Sequence, residues 1–132
     1  MKNKYTLALT IGVLLLACSM VFNWLLNVMF PSLQSEYMTP AFRPWTDPLM
    51  SLFFVYPLAM GALLTFTWQK TRKAWKSGLE FGAWFGVLFS VPSFLINYSS
   101  FTFSLAMVLS WVAMGFVNIV IAGLALEKLE EK

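Results

Sequence analysis

The side chains able to do chemistry in this chain are few, and most of them are neutral. Asn23 and Asn27 are one helical turn apart, Asn97 and Tyr98 are adjacent, and Glu36, Arg43, Trp45 and Asp47 fall in a proline-rich stretch between two apolar runs. Amides donate and accept, the phenol and indole carry a polar tip on an apolar body, and Arg43 and Asp47 add one charge of each sign. Such a set suits recognition of a small amphipathic molecule or a lipid headgroup in a pocket with apolar walls. Catalysis is a poor fit. The chain has no His, so a hydroxyl or thiol nucleophile has no imidazole base, and Glu36 and Asp47 have no evident partner for acid–base work. With a single Cys and no His, the usual zinc and iron ligand sets are lacking. We therefore expect no enzyme and no cofactor, and a ligand site drawn from Asn23, Asn27, Arg43, Trp45, Asp47, Asn97 and Tyr98.

The elements that must position these residues are long and apolar. Of the 132 residues, 59% are hydrophobic and 11% charged, against roughly 25% charged in an ordinary soluble domain. Four runs, residues 5–30, 49–69, 78–97 and 103–126, are each long enough to cross a hydrocarbon core of about 30 Å as a helix. Lipid tolerates only helices or closed barrels, and a barrel needs alternating apolar and polar positions that are missing here. The expected fold is an all-α transmembrane four-helix bundle, a single domain over residues 1–132.

The nine basic residues give the topology. Lys2, Lys4, Lys70, Arg72, Lys73, Lys76, Lys128 and Lys132 all fall at one end of the runs and Arg43 alone at the other. By the positive-inside bias both termini are expected in the cytoplasm of a prokaryotic plasma membrane, with residues 31–48 outside. The net charge of +3 is accounted for by topology and is no signal for nucleic acid; the cluster from Lys70 to Lys76 also has the character of a contact for anionic headgroups. Residues around Cys18 resemble a bacterial lipoprotein signal, but Leu16 is large for that motif and the chain stays apolar beyond Cys18, so an uninterrupted span is expected.

The outer loop holds Pro31, Pro40, Pro44 and Pro48, which makes it stiff. Asp47 before Pro48 is placed to cap the second span, and Trp45 has the character of an interfacial anchor. Pro57 and Pro92 interrupt the second and third spans, leaving the carbonyls of Phe53 and Leu88 without a helical donor. Gly78, Gly82, Gly86 and Ser90 recur every fourth residue and set a small-residue face for close helix packing, either within the chain or against a second copy. Small and polar residues of the first span (Ala8, Gly12, Ser19, Asn23, Asn27) and of the fourth (Ser110, Asn118, Ala122, with Gly115 and Gly123 adjoining) are expected to face one another. Ala59-Met60-Gly61 recurs as Ala113-Met114-Gly115. Glu80 is expected to pair with Lys76 at the interface, and the tail from Glu127 to extend the fourth helix into water.

The segment Phe-Arg-Pro-Trp-Thr-Asp-Pro-Leu-Met at 42–50, the glycine ladder and the turn beginning Tyr98-Ser-Ser-Phe resemble small uncharacterised four-span membrane proteins of bacteria and archaea. That resemblance spans most of residues 40–123 and implies a fold without an activity. The sequence lacks the first-helix membrane Glu of the small multidrug transporters and the glycine-rich and arginine motifs of the dual-topology fluoride channels. The expectation is a binding or accessory module in contact with membrane lipid, packing through small-residue faces into a homo-oligomer or a larger membrane complex, with a shallow outward pocket. An oligomeric small-solute transporter or channel is the alternative.

Overall fold

The structure, a computed structural model, describes residues 3–130, so Lys2 and Lys132 of the charge pattern lie outside the described residues. Among the described residues are five α-helices and no strand: α1 (Lys4–Met29), α2 (Pro31–Tyr37), α3 (Leu52–Thr71), α4 (Gly78–Ser100) and α5 (Leu105–Glu130). Four of them, α1, α3 with its flanking 3-10 turns, α4 and α5, are long and apolar enough to cross a membrane. The chain is a multi-pass membrane protein built as an all-α four-helix bundle. Helix α1 runs unbroken through the half-buried Cys18. The one unanticipated element is α2, which starts on Pro31, where the missing N–H costs no helical bond.

Two antiparallel hairpins, α1 with α3 and α4 with α5, join along α1 and α5. The bundle therefore has a terminal end, carrying the start of α1, the end of α5 and the connection at 72–77, and a loop end, carrying 30–51 and 101–104. Glycines bring the helices of each hairpin together near the terminal end. A Cβ on Gly61 would fall on the backbone of Gly12, and one on Gly12 would come within 2.9 Å of the Leu58 Cα. In the second hairpin a Cβ on Gly78 would overlap the Gly123 carbonyl, and one on Gly82 would lie 2.8 Å from the Val120 Cα. Phe116 lays its ring across Gly86. The glycine face of α4 is thus packed against α5 of the same chain, the first of the two alternatives for this small-residue face. Gly115 has no atom within 4 Å of its would-be Cβ, so the two Ala-Met-Gly segments do different work.

The main core lies in the terminal half. Leu7, Ile11 and Leu15 of α1 meet Leu64 and Trp68 of α3, Phe81 of α4, and Ile119, Ala122 and Leu126 of α5. Trp68 and Phe81 are fully buried with their rings edge to face at 5.1 Å, a favoured aromatic geometry. This end is also stitched by carboxylates. Glu127 Oε2 accepts the Gly78 amide at 2.8 Å, and Glu130 Oε2 accepts the Trp68 indole N–H at 2.6 Å. The end of α5 is therefore part of the packed structure, a correction to a purely solvated tail. Glu80 also differs from expectation. Its carboxylate accepts the Lys76 amide at 2.7 Å while its own amide donates to the Ser77 hydroxyl at 3.1 Å, so Ser77 caps the start of α4 and Glu80 ties down the residue before the cap.

Candidate functional site

At the loop end the helices enclose a cavity of about 540 Å³. Helix α1 supplies Asn23, Leu26 and Asn27, while α2 supplies Gln34 and Tyr37. The following loop closes it with Phe42, Arg43, Pro44 and Trp45, and Met50, Phe53, Trp111 and Met114 complete the wall from the start of α3 and the loop-end half of α5. Asn23 and Asn27 share a face because they are four residues apart on one helix. Phe53 is the residue whose carbonyl loses its helical donor to Pro57.

The loop is rigid for chemical reasons. Asp47 Oδ1 accepts the Leu49 amide at 2.9 Å, and its Oδ2 accepts from Arg43 Nη1 at 2.9 Å. The Leu49 amide and then the Arg43 guanidinium hold the Asp47 carboxyl below the usual carboxylate range. Helix α2 is pinned at two further points. Glu36 accepts from the Ser104 hydroxyl at 2.5 Å and from its amide at 3.2 Å, and the Trp111 indole donates to the Tyr37 hydroxyl at 2.6 Å. Phe42 stacks on Phe103 at 5.0 Å, and both lie against Trp111. Burial raises the Tyr37 phenol above its ordinary pKa, the Trp111 bond opposes this, and the nearby Glu36 charge adds to the rise; the phenol is neutral at physiological pH.

Four of the seven residues expected in a ligand site line this cavity: Asn23, Asn27, Arg43 and Trp45. Asp47 stands behind Arg43 as its counter-ion. Asn97 and Tyr98 are elsewhere, a correction to their grouping with the rest. The Asn97 amide donates to the carbonyl and hydroxyl of Ser93 one turn back, and Tyr98 stacks on Phe94. The contrast among the asparagines is informative. Asn97 is satisfied by its own helix, and Asn118 donates to Ser19 at 2.9 Å between α5 and α1; among the described residues, Asn23, Asn27 and Gln34 make no side-chain hydrogen bond, and all three face the cavity. The expected facing of α1 and α5 is realised at Ser19 and Asn118, whereas Gly12 and Gly123 serve their own hairpins.

The cavity is blind. One turn below Asn23 is Ser19 and one turn below Met114 is Asn118, whose Oδ1 is buried without a hydrogen-bond partner among the described residues. Beyond that pair the apolar core closes the bundle. Sequence reasoning missed Gln34, Tyr37, Trp111 and Met114. The first two needed α2 to be seen inside a proline-rich loop, and the last two lie on a helix that is apolar on every side. Among the described residues, no three His, Cys, Asp or Glu side chains converge as metal ligands would.

Fold and cavity together define a polytopic helical membrane protein with a blind, aromatic-walled cavity at one end. Compared with known proteins, the chain matches no family model, no curated protein and no solved structure.

Proposed function

We propose that this protein is a small ligand-binding module of a prokaryotic plasma membrane, with both termini cytoplasmic and the cavity opening toward the outer face. The observation that carries the reading is the set of carboxamides left without protein partners: Asn23, Asn27 and Gln34 line one cavity of about 540 Å³. Asn23 is half-buried and Asn27 and Gln34 are exposed, so their amides are open to a bound molecule, each able to donate and accept. The size is in the ordinary range for small-molecule sites. Orientation rests on Lys4, Lys70, Arg72, Lys73, Lys76 and Lys128, all at the terminal end. The role is binding rather than catalysis, in keeping with the absence of His. Transport through one copy finds no support in a cavity that ends on a closed apolar core.

The test is native mass spectrometry on protein extracted gently from its own membrane. The wild type is expected to retain a small molecule at one-to-one stoichiometry, and Asn23→Ala/Asn27→Ala, folded by its helical circular dichroism, to have lost it. A wild type that carries nothing, or a double variant that carries as much, overturns the reading.

A further inference from the structure

The chemistry of the cavity wall narrows the ligand, an inference that rests on the binding reading above. Among the described residues the only charged side chain lining the cavity is Arg43, and its guanidinium is already matched by Asp47 at 2.9 Å. Glu36, the carboxylate of α2, lines a separate, smaller cavity and is taken up by Ser104. The site thus offers no uncompensated charge to an ion. Its polar offering is three primary carboxamides, each able to donate and accept, confined to α1 and α2. The remaining wall is aromatic and thioether: Phe42, Trp45, Phe53 and Trp111, with Met50 and Met114. Flat rings stack on aromatic faces, and methionine adapts to irregular apolar shapes while making favourable contacts with rings.

We infer that the cavity takes an uncharged amphiphile with a flat ring bearing carbonyl or hydroxyl oxygens, a quinone-type head on an apolar tail, with the ring oxygens at Asn23, Asn27 and Gln34. A phospholipid headgroup fits less well, because phosphate calls for a free cation or a cluster of N–H donors. A cationic amphiphile fits less well for want of a free carboxylate. The neutral Tyr37 phenol accords with the same choice.

Binding is to be measured on the full chain in phosphatidylcholine nanodiscs, as ligand retained after desalting relative to empty discs. Three probes are compared: a short-tailed naphthoquinone, a short-chain phosphatidylglycerol and an alkyltrimethylammonium. The expected result is saturable one-site retention of the quinone, reduced at least about tenfold in Asn23→Leu/Asn27→Leu and changed less than about threefold in Arg43→Gln, tenfold being about 1.4 kcal/mol. Thermal melting of each variant in the same discs separates lost binding from lost folding. Phosphatidylglycerol binding that disappears in Arg43→Gln, or saturable binding of the ammonium probe, overturns the ligand class and leaves the binding reading standing. Failure of all three probes, with no molecule retained from the native membrane, overturns both.

Discussion

The two ends of this bundle solve the same packing problem with different side chains. At the terminal end glycines let backbones touch, bulky apolar groups such as Trp68 and Phe81 fill the remaining space completely, and every carboxylate described above has a backbone or indole partner. At the loop end the helices carry asparagine where the other end carries leucine and isoleucine, and a short helix and a proline-stiffened loop cover the gap without filling it. Close packing is therefore concentrated where the chain is closed, and unfilled space where it is open. Close van der Waals packing drives helix association in lipid, since apolar burial alone gives no preference for a neighbouring helix over an acyl chain. Once the terminal end has secured the bundle, the loop end is free to hold unpaired amides.

The largest expected break in this contrast is at the crossing of α1 and α3. Gly61→Leu places a side chain on the Gly12 backbone and is expected to cost at least about 3 kcal/mol or prevent assembly, read as loss of a cooperative melt in detergent. Gly115→Ala, with open space around it, is the paired control, expected within about 0.5 kcal/mol of wild type. Equal effects at both positions would dissolve the distinction between the ends. Next, Phe81→Ala in the filled core is expected to cost about 3–5 kcal/mol. Trp111→Ala beside the cavity is expected to cost about 1–2 kcal/mol and to release Tyr37, seen as faster amide exchange in α2.

A smaller effect is expected from Glu127→Ala, which removes the acceptor for the first amide of α4. The cost is about 1 kcal/mol, visible as increased exchange at residues 78–82 with the cavity unchanged. The smallest is a pH effect at the loop. The folded Asp47 carboxyl titrates below its unfolded value, so its contribution is present above the ordinary carboxylate range and is lost only as pH falls through the lowered folded value. Protection of the Leu49 amide, its exchange rate relative to the intrinsic rate at each pH, should stay constant from neutral pH down through that range and fall below it. Asp47→Asn should make that protection independent of acidification.

How far the residues alone reveal this architecture varies along the chain. The four spans were legible because hydropathy and length decide a membrane crossing, and Asp47 was legible as a cap, alongside its candidacy for the ligand site, because it directly precedes Pro48 at a helix start. The cavity was half legible: Asn23 and Asn27 stand out in an apolar run, but Trp111 and Met114 do not, since lipid and core are equally apolar and periodicity fades on such a helix. The roles of Glu127 and Glu130 were hidden for another reason. Their partners, Gly78 and Trp68, come from distant helices, and no local pattern in a charged tail signals a bond across the bundle. The glycine ladder was read correctly as a packing face, while its occupant depended on how the two hairpins close.

One consequence of the stitched terminal end concerns the order of biosynthesis. A membrane protein emerges from the ribosome from its N-terminal side, so Trp68 is inserted 62 residues before Glu130, the acceptor for its indole, and Gly78 49 residues before Glu127. Until the last two turns of α5 have been made, the first three spans hold an indole N–H and a helix-start amide that lack the acceptors they have in the finished bundle. The bonds that close the terminal end are therefore the last that the chain can form.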